Sequence, residues 1–159
     1  MRRGVLLGLL VPGLVIVHFL LHLGLGLGRE APDLLTLALL LAAREVGMGG
    51  GAAVGFFFGL LEDAFSILAF GANTLALTLV GILGAGTRHL LVGESLRFLF
   101  LYLAGGKLLR DLVYWVGAGE GVREPFVEAV LVQGSVSALY LGVVGLLLFL
   151  PFGGREALP

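Results

Sequence analysis

The chain has 159 residues, 58% of them hydrophobic and 13% charged, with 27 glycines and no cysteine. Soluble domains run to about 45–50% apolar and ~25% charged residues, so there is too little polar surface here to coat a globule in water, and lipid is the expected solvent. Ten Lys and Arg against eleven Asp and Glu leave a formal charge of -1. That balance gives no general attraction for nucleic acid or anionic substrates, and the lack of cysteine excludes disulfides, thiolate catalysis and thiolate-held metal or iron–sulfur sites.

A helical crossing takes about 20 residues of a ~30 Å hydrocarbon core, so the length accommodates five or six crossings joined by short turns. The first is expected over 4–28. Arg2 and Arg3 precede an uncharged run longer than the ~7–15-residue core of a signal peptide; the segment is expected to be retained, although Gly24, Gly26 and Gly28 imitate a cleavage site. A polar turn, Arg29 to Asp33, leads into a short second helix over 32–43, with Pro32 suited to its first turn and Asp33 to its positive end.

The third helix is expected over 46–63, ending in Glu62-Asp63 at or just inside an interface. The uncharged stretch 64–87 contains Gly71 and Asn73, so it is either one long helix or a broken segment followed by a helix from about Thr74. A fifth helix over 95–119 carries Arg97, Lys107, Arg110 and Asp111 in otherwise apolar sequence, and a sixth over 126–150 carries Glu128, Gln133, Ser135 and Ser137. The expected fold is one domain over 1–159, an all-α integral membrane protein built as a six-helix transmembrane bundle. Arg2, Arg3, Arg44, Arg88 and Arg155 mark one side and Arg29 and Arg123 the other, which puts both termini in the cytoplasm.

Lipid supplies no hydrophobic drive between helices, so small residues and interhelical hydrogen bonds must hold them together. Gly51, Gly55 and Gly59 recur every four residues on one face of the third helix. Gly134, Ala138 and Gly142 do so in the sixth, and Gly4 with Gly8 in the first. Each stripe serves either packing within the chain or docking of a partner's transmembrane helix. Lys107, Arg110 and Asp111 share a face of the fifth helix, and Lys107 lies ~18 Å from Ser95 along the axis, too deep to leave unpaired. Their sum of +1 calls for another acid. The expected cluster is Lys107, Arg110 and Asp111 with Asp63; Glu62 and Glu128 are the other candidates. It would fix helix register, bind a partner, or serve a ligand or ion.

No cofactor or metal site is expected. His18 and His22 stand four apart on one helix, whereas axial haem ligands normally face each other from two, so ordinary packed or lipid-facing histidines are expected. No hydrolase, zinc, phosphate-loop or dinucleotide motif is present, and Asp63 with Asp111 is the only pair of acids from separate helices that could imitate an intramembrane protease.

The series Ala31-Pro32-Asp33-Leu34-Leu35, then Gly55-x-x-x-Gly59-Leu60-x-x-Asp63-x-x-Ser66, then Gly71 and Leu75 resembles the rod-shape-determining MreD family. Where that family often has a glycine–proline turn, this chain has Ile67-Leu68-Ala69-Phe70. The resemblance implies a non-catalytic subunit of the bacterial elongation machinery in the inner membrane. Its partner would be the single-span protein MreC and, through it, MreB and the cell-wall polymerase and transpeptidase. Gly55, Gly59, Asp63 and Ser66 of that motif, with Gly51 from the glycine stripe, would be the packing or partner residues. The family is similar in fold to the substrate-binding membrane subunits of energy-coupling-factor vitamin transporters, which supplies the alternative function.

Overall fold

A ten-residue helix that is apolar all round has to be covered on every side, and the run Leu34–Ala43 is so covered: nine of its ten residues are buried. A computed structural model of the chain describes residues 2–26, 31–66, 68–87 and 96–153. Among them are six α-helices: α1 (Arg2–Phe19, prolonged by a π-helical turn, Leu20–Gly24), α2 (Leu34–Ala43), α3 (Met48–Asp63), α4 (Ala72–Gly86), α5 (Leu96–Gly117) and α6 (Gly134–Gly153, entered through a π-helical segment, Val127–Gln133). The described residues include no strand. The polar marks at Arg29-Glu30, Arg88-His89, Ser95 and Arg155-Glu156 lie outside the described residues.

α2 is the centre, touching α1, α3, α4, α5 and α6. At 1.5 Å per residue it is only about 15 Å long, so the second segment is a half-length helix enclosed by its neighbours. Both of its ends are closed from outside: Tyr102 Oη of α5 donates to the Leu40 carbonyl in the last turn at 2.8 Å, and the first turn is capped as described below. Of the two readings of 64–87, the broken one holds: α4 begins only at Ala72, after a turn that ends in Gly71 at φ +94°. Two helical stretches, Leu7–Gly24 and Val127–Leu148, are long and apolar enough to cross a membrane.

The third-helix glycines are packed within the chain. A Cβ added at Gly51, Gly55 or Gly59 would come within 3.0 Å of α4 backbone at Gly81, Leu77 and Thr74 respectively, and one at Gly81 would strike the Gly51 carbonyl. α3 and α4 therefore touch backbone to backbone along about two turns, a contact no larger residue permits. In the sixth helix the close approaches are at Gly142, against the Phe100 ring, and Gly145, against Leu103 and Leu37, while Ala138 is buried and Gly134 has nothing nearer than 3.5 Å. Gly8 of α1 faces open space.

The outside of the bundle is apolar: Leu9, Ile16, Phe57, Leu68, Val136 and Leu147 are all more than half exposed, while His18, Thr36, Asp63, Asn73 and Lys107 are buried. An exterior of this kind is unlike the surface of a water-soluble monomer.

The glycine contact yields a direct expectation. Gly55→Ala should lower the thermal midpoint of the purified protein, by the equivalent of about 1–3 kcal/mol or more for overpacking, because the obstacle is backbone and cannot rotate away. Gly8→Ala, in open space, should leave it unchanged or raise it by up to ~1 kcal/mol through helix propensity.

Candidate functional site

The first four N–H groups of a helix lack intrahelical partners, and α2 resolves this deficit with residues from two elements. Leu34 N donates to the Pro32 carbonyl (2.8 Å) and Leu37 N to the Asp33 carbonyl (3.2 Å). Thr36 N donates to Asp33 Oδ1 (3.0 Å), and Thr36 Oγ1 to Asp33 Oδ2 (2.8 Å). Leu35 N reaches across to α1, donating to His18 Nδ1 at 3.3 Å. Asp33 is thus a side-chain N-cap, and His18 is a second cap supplied by another helix.

The same end of α2 meets the charged face of α5. Lys107 stands three residues from Arg110 and four from Asp111, so all three share a face of α5, and Lys107 and Arg110 turn to Asp33. The Arg110 guanidinium forks: Nη1 donates to Asp33 Oδ2, while Nη2 donates to Glu62 Oε2 (2.5 Å) and to Asn73 Oδ1 (3.2 Å). Lys107 Nζ pairs with Asp111 Oδ1 and faces Asp33 Oδ2 at 3.7 Å. Asp111 Oδ2 accepts from Ser137 Oγ of α6 at 3.2 Å. Glu62 Oε1 lies 3.8 Å from His18 Nε2, and His22 stacks on His18 with centroids 4.0 Å apart. All six helices therefore contribute to the cluster or border it, and the one buried side-chain polar atom without a partner among the described residues is Arg110 Nε.

The cluster sits towards one end of the bundle. It gathers the end of α1, the start of α2, the end of α3, the start of α4 and the last half of α5, with Arg110 about 10 Å and Lys107 about 15 Å along the axis from Gly117. Over that end the α5–α6 turn is closed by Trp115, whose Nε1 donates to the Glu124 carbonyl at 2.8 Å. The Arg123 guanidinium lies 4.5 Å from the Trp115 ring centroid and donates to the Val116 and Ala118 carbonyls.

Asp63 is not part of this cluster, a correction to the sequence expectation. Neighbouring residues on a helix are about 100° apart, so Glu62 turns towards Arg110 while Asp63 turns towards α4. Asp63 is 1% exposed and accepts from Gly71 N (2.9 Å), Asn73 N (3.2 Å), Thr74 N (2.9 Å) and Thr74 Oγ1 (2.6 Å). It caps the start of α4 from the end of α3, and Gly71 presents its N–H to Asp63 from a left-handed backbone that favours glycine. Ser66 N closes the intervening turn on the Asp63 carbonyl at 3.0 Å. Asp63 and Asp111 are directed to different partners, and Glu128, the other candidate acid, is exposed at the start of the π-helical segment.

Three acids, Asp33, Glu62 and Asp111, answer the two cations, where the sequence expectation had two, Asp63 and Asp111. Asp33 was legible as a helix-start residue but not as the partner of Arg110, 77 positions away. His18, expected to be an ordinary histidine, is buried as a cap. The signal available for both was the same: an ionisable group in or beside an apolar helix. Among the described residues, no group of three His, Asp or Glu is arranged to hold a metal ion. No family model, curated protein or solved structure matches the chain.

Two outcomes follow from this geometry. Arg110→Met should cost about 3–5 kcal/mol, because it strands buried carboxylates, and Arg110→Lys should recover only part, since an ammonium cannot reproduce the fork; thermal melts in detergent would measure both. Asp63→Ala should cost about 1–3 kcal/mol by leaving α4 donors unpaired, and exchanging the charges of Asp63 and Arg110 should rescue neither single change.

Proposed function

We propose that the chain is a multi-pass protein of the bacterial inner membrane, both termini cytoplasmic, acting as a non-catalytic scaffold of MreD type in the cell-elongation machinery. Its direct partner is the membrane helix of MreC, through which it connects to MreB and to the cell-wall polymerase and transpeptidase. One observation carries this reading: Gly55, Gly59, Asp63 and Gly71, on which the family resemblance rests, meet in a single unit, the α3–α4 pair and its cap. Spacing that looks loose along the sequence acquires a common physical purpose.

A lipid setting is supported by the apolar exterior, by the two stretches long enough to cross, and by Trp115 with Arg123 at a loop end, the usual place for such residues at a membrane interface. A scaffold role is supported by the cluster, whose charged groups engage one another. A vitamin-binding transporter subunit would need such groups free to line a pocket.

Of the surfaces the sequence offers to a partner, the α3 glycine face is filled by α4 and the polar cluster is enclosed. The outer side of α1 stays open, with Leu9 and Ile16 exposed and nothing within 4 Å of a Cβ at Gly8 or Gly13. Contact with MreC is assigned there. Purification from native membranes should recover MreC with the protein, and Gly8→Leu with Gly13→Leu should reduce that recovery at unchanged membrane levels, whereas Gly55→Leu should reduce the protein itself. Recovery of energy-coupling ATPases without MreC would overturn the assignment.

A further inference from the structure

A hydroxyl that faces hydrocarbon without a partner is costly, because no water is at hand to replace the hydrogen bond. The last apolar stretch, Val127–Leu148, carries two of them. Ser135 and Tyr140 are both exposed on α6, and neither has a hydrogen-bond partner among the described residues. Ser137, between them in sequence, turns inward to Asp111 and the Gly134 carbonyl instead. At 1.5 Å per residue, Ser135 and Tyr140 each lie about 12 Å inside the nearer end of the stretch, too deep for a serine to reach the headgroups.

Between the two hydroxyls runs an apolar seam. Val132, Val136, Leu139 and Val143 follow one another at intervals of four, three and four residues, the spacing by which two helices interlock side chains along a left-handed coil. All four are about half exposed or more, while Gly134, Ala138, Leu141 and Gly145 on the opposite side of the helix are buried in the bundle. Valine at 136 and 143, alternating with leucine at 139, is the pattern that favours two parallel strands. In that register Ser135 and Tyr140 flank the seam on its two sides, and a residue on one flank meets the residue five positions later on the other flank of the facing helix. Ser135 and Tyr140 are five apart. A second copy in the same membrane has the same orientation and depth, so this chain supplies both members of the pair, twice over by two-fold symmetry. Acyl chains pack on valine and leucine as well as protein does, so the seam supplies shape and the hydroxyls supply the preference.

We propose that α6 is a self-association surface: two copies of the chain pair in parallel along Val136, Leu139 and Val143, with Tyr140 Oη of each donating to Ser135 Oγ of the other. The surface lies on a different helix from the α1 face given to MreC. The inference rests on the membrane setting of the reading above and not on its scaffold role, so MreC capture leaves it untouched.

The chain has no cysteine, so single cysteines introduced into the full chain report the pairing in native membranes. Val136→Cys and Val143→Cys should each give a covalent dimer of the chain on mild oxidation, and Leu9→Cys, exposed on α1, should not. In lipid vesicles, energy transfer between labelled copies across a dilution series should show the pairing weakened about tenfold by Ser135→Ala or by Tyr140→Phe. The double variant should be no weaker than either single one, since each removes the same two bonds. The proposal is overturned by monomers at every dilution, by cross-linking at Leu9→Cys equal to that at Val136→Cys and Val143→Cys, by adducts with other proteins in place of the dimer, or by losses that add in the double variant. Fractionation of the same cells separates the two levels of failure: a chain outside the membrane fraction ends the lipid setting and this inference together, whereas monomers within that fraction end this inference alone.

Discussion

The arrangement depends on one guanidinium. Arg110 ties the start of α2, the end of α3 and the start of α4 to α5 through partners 77, 48 and 37 positions away. Its planar fork sends N–H groups in separate directions, which is how one side chain can address three elements. The position of α2 follows from it. Asp33 has to reach Arg110, so the start of α2 is held against α5, and its free N–H groups take their partners from the protein. His18 completes that set from α1.

The helices are joined in two contrasting ways. α3 and α4 meet by shape: glycines remove the side chains and the backbones touch. α2 and α5 meet by charge and hydrogen bonding at one end, through Asp33, and at the other through the Tyr102 hydroxyl on the Leu40 carbonyl. In a lipid solvent, where apolar packing has no advantage over contact with acyl chains, both devices retain their value. Asp63 links the two, since the residue that ends the glycine-faced helix caps the helix it packs against, while its neighbour Glu62 joins the ionic cluster.

Much of this was legible in the sequence. Five of the six helical segments were expected within a few residues of their observed bounds, because apolar runs and charged marks alternate so plainly, and the fourth was open between one long helix and a broken one. The glycine stripe pointed to close packing, and Lys107, Arg110 and Asp111 share a face by helical spacing alone. Less legible was anything that depends on which way a terminal residue turns. Glu62 and Asp63 have the same chemistry one position apart, and only the rotation of α3 against α4 and α5 separates a counter-ion from a helix cap. The break before Ala72 was legible only as one of two alternatives for a related reason: residues 64–71 are mostly apolar, and the turn is held by Asp63 on the preceding helix. His18 shows a third limit, since a histidine in an apolar helix gives no sign that the backbone N–H it receives belongs to a helix not yet reached in the chain.

The separation of Asp33 from Arg110 has a consequence in time. Bacterial and eukaryotic synthesis rates span roughly 5–20 residues per second, so the 77 residues between them correspond to a delay of roughly 4–15 s. For that interval the nascent α2 has an acid at its head without its principal counter-ion and a ten-residue body too short to span by itself. The Asp33–Arg110 contact can form only after the ribosome has delivered α5, so the head of the central helix waits on a residue made much later in the chain.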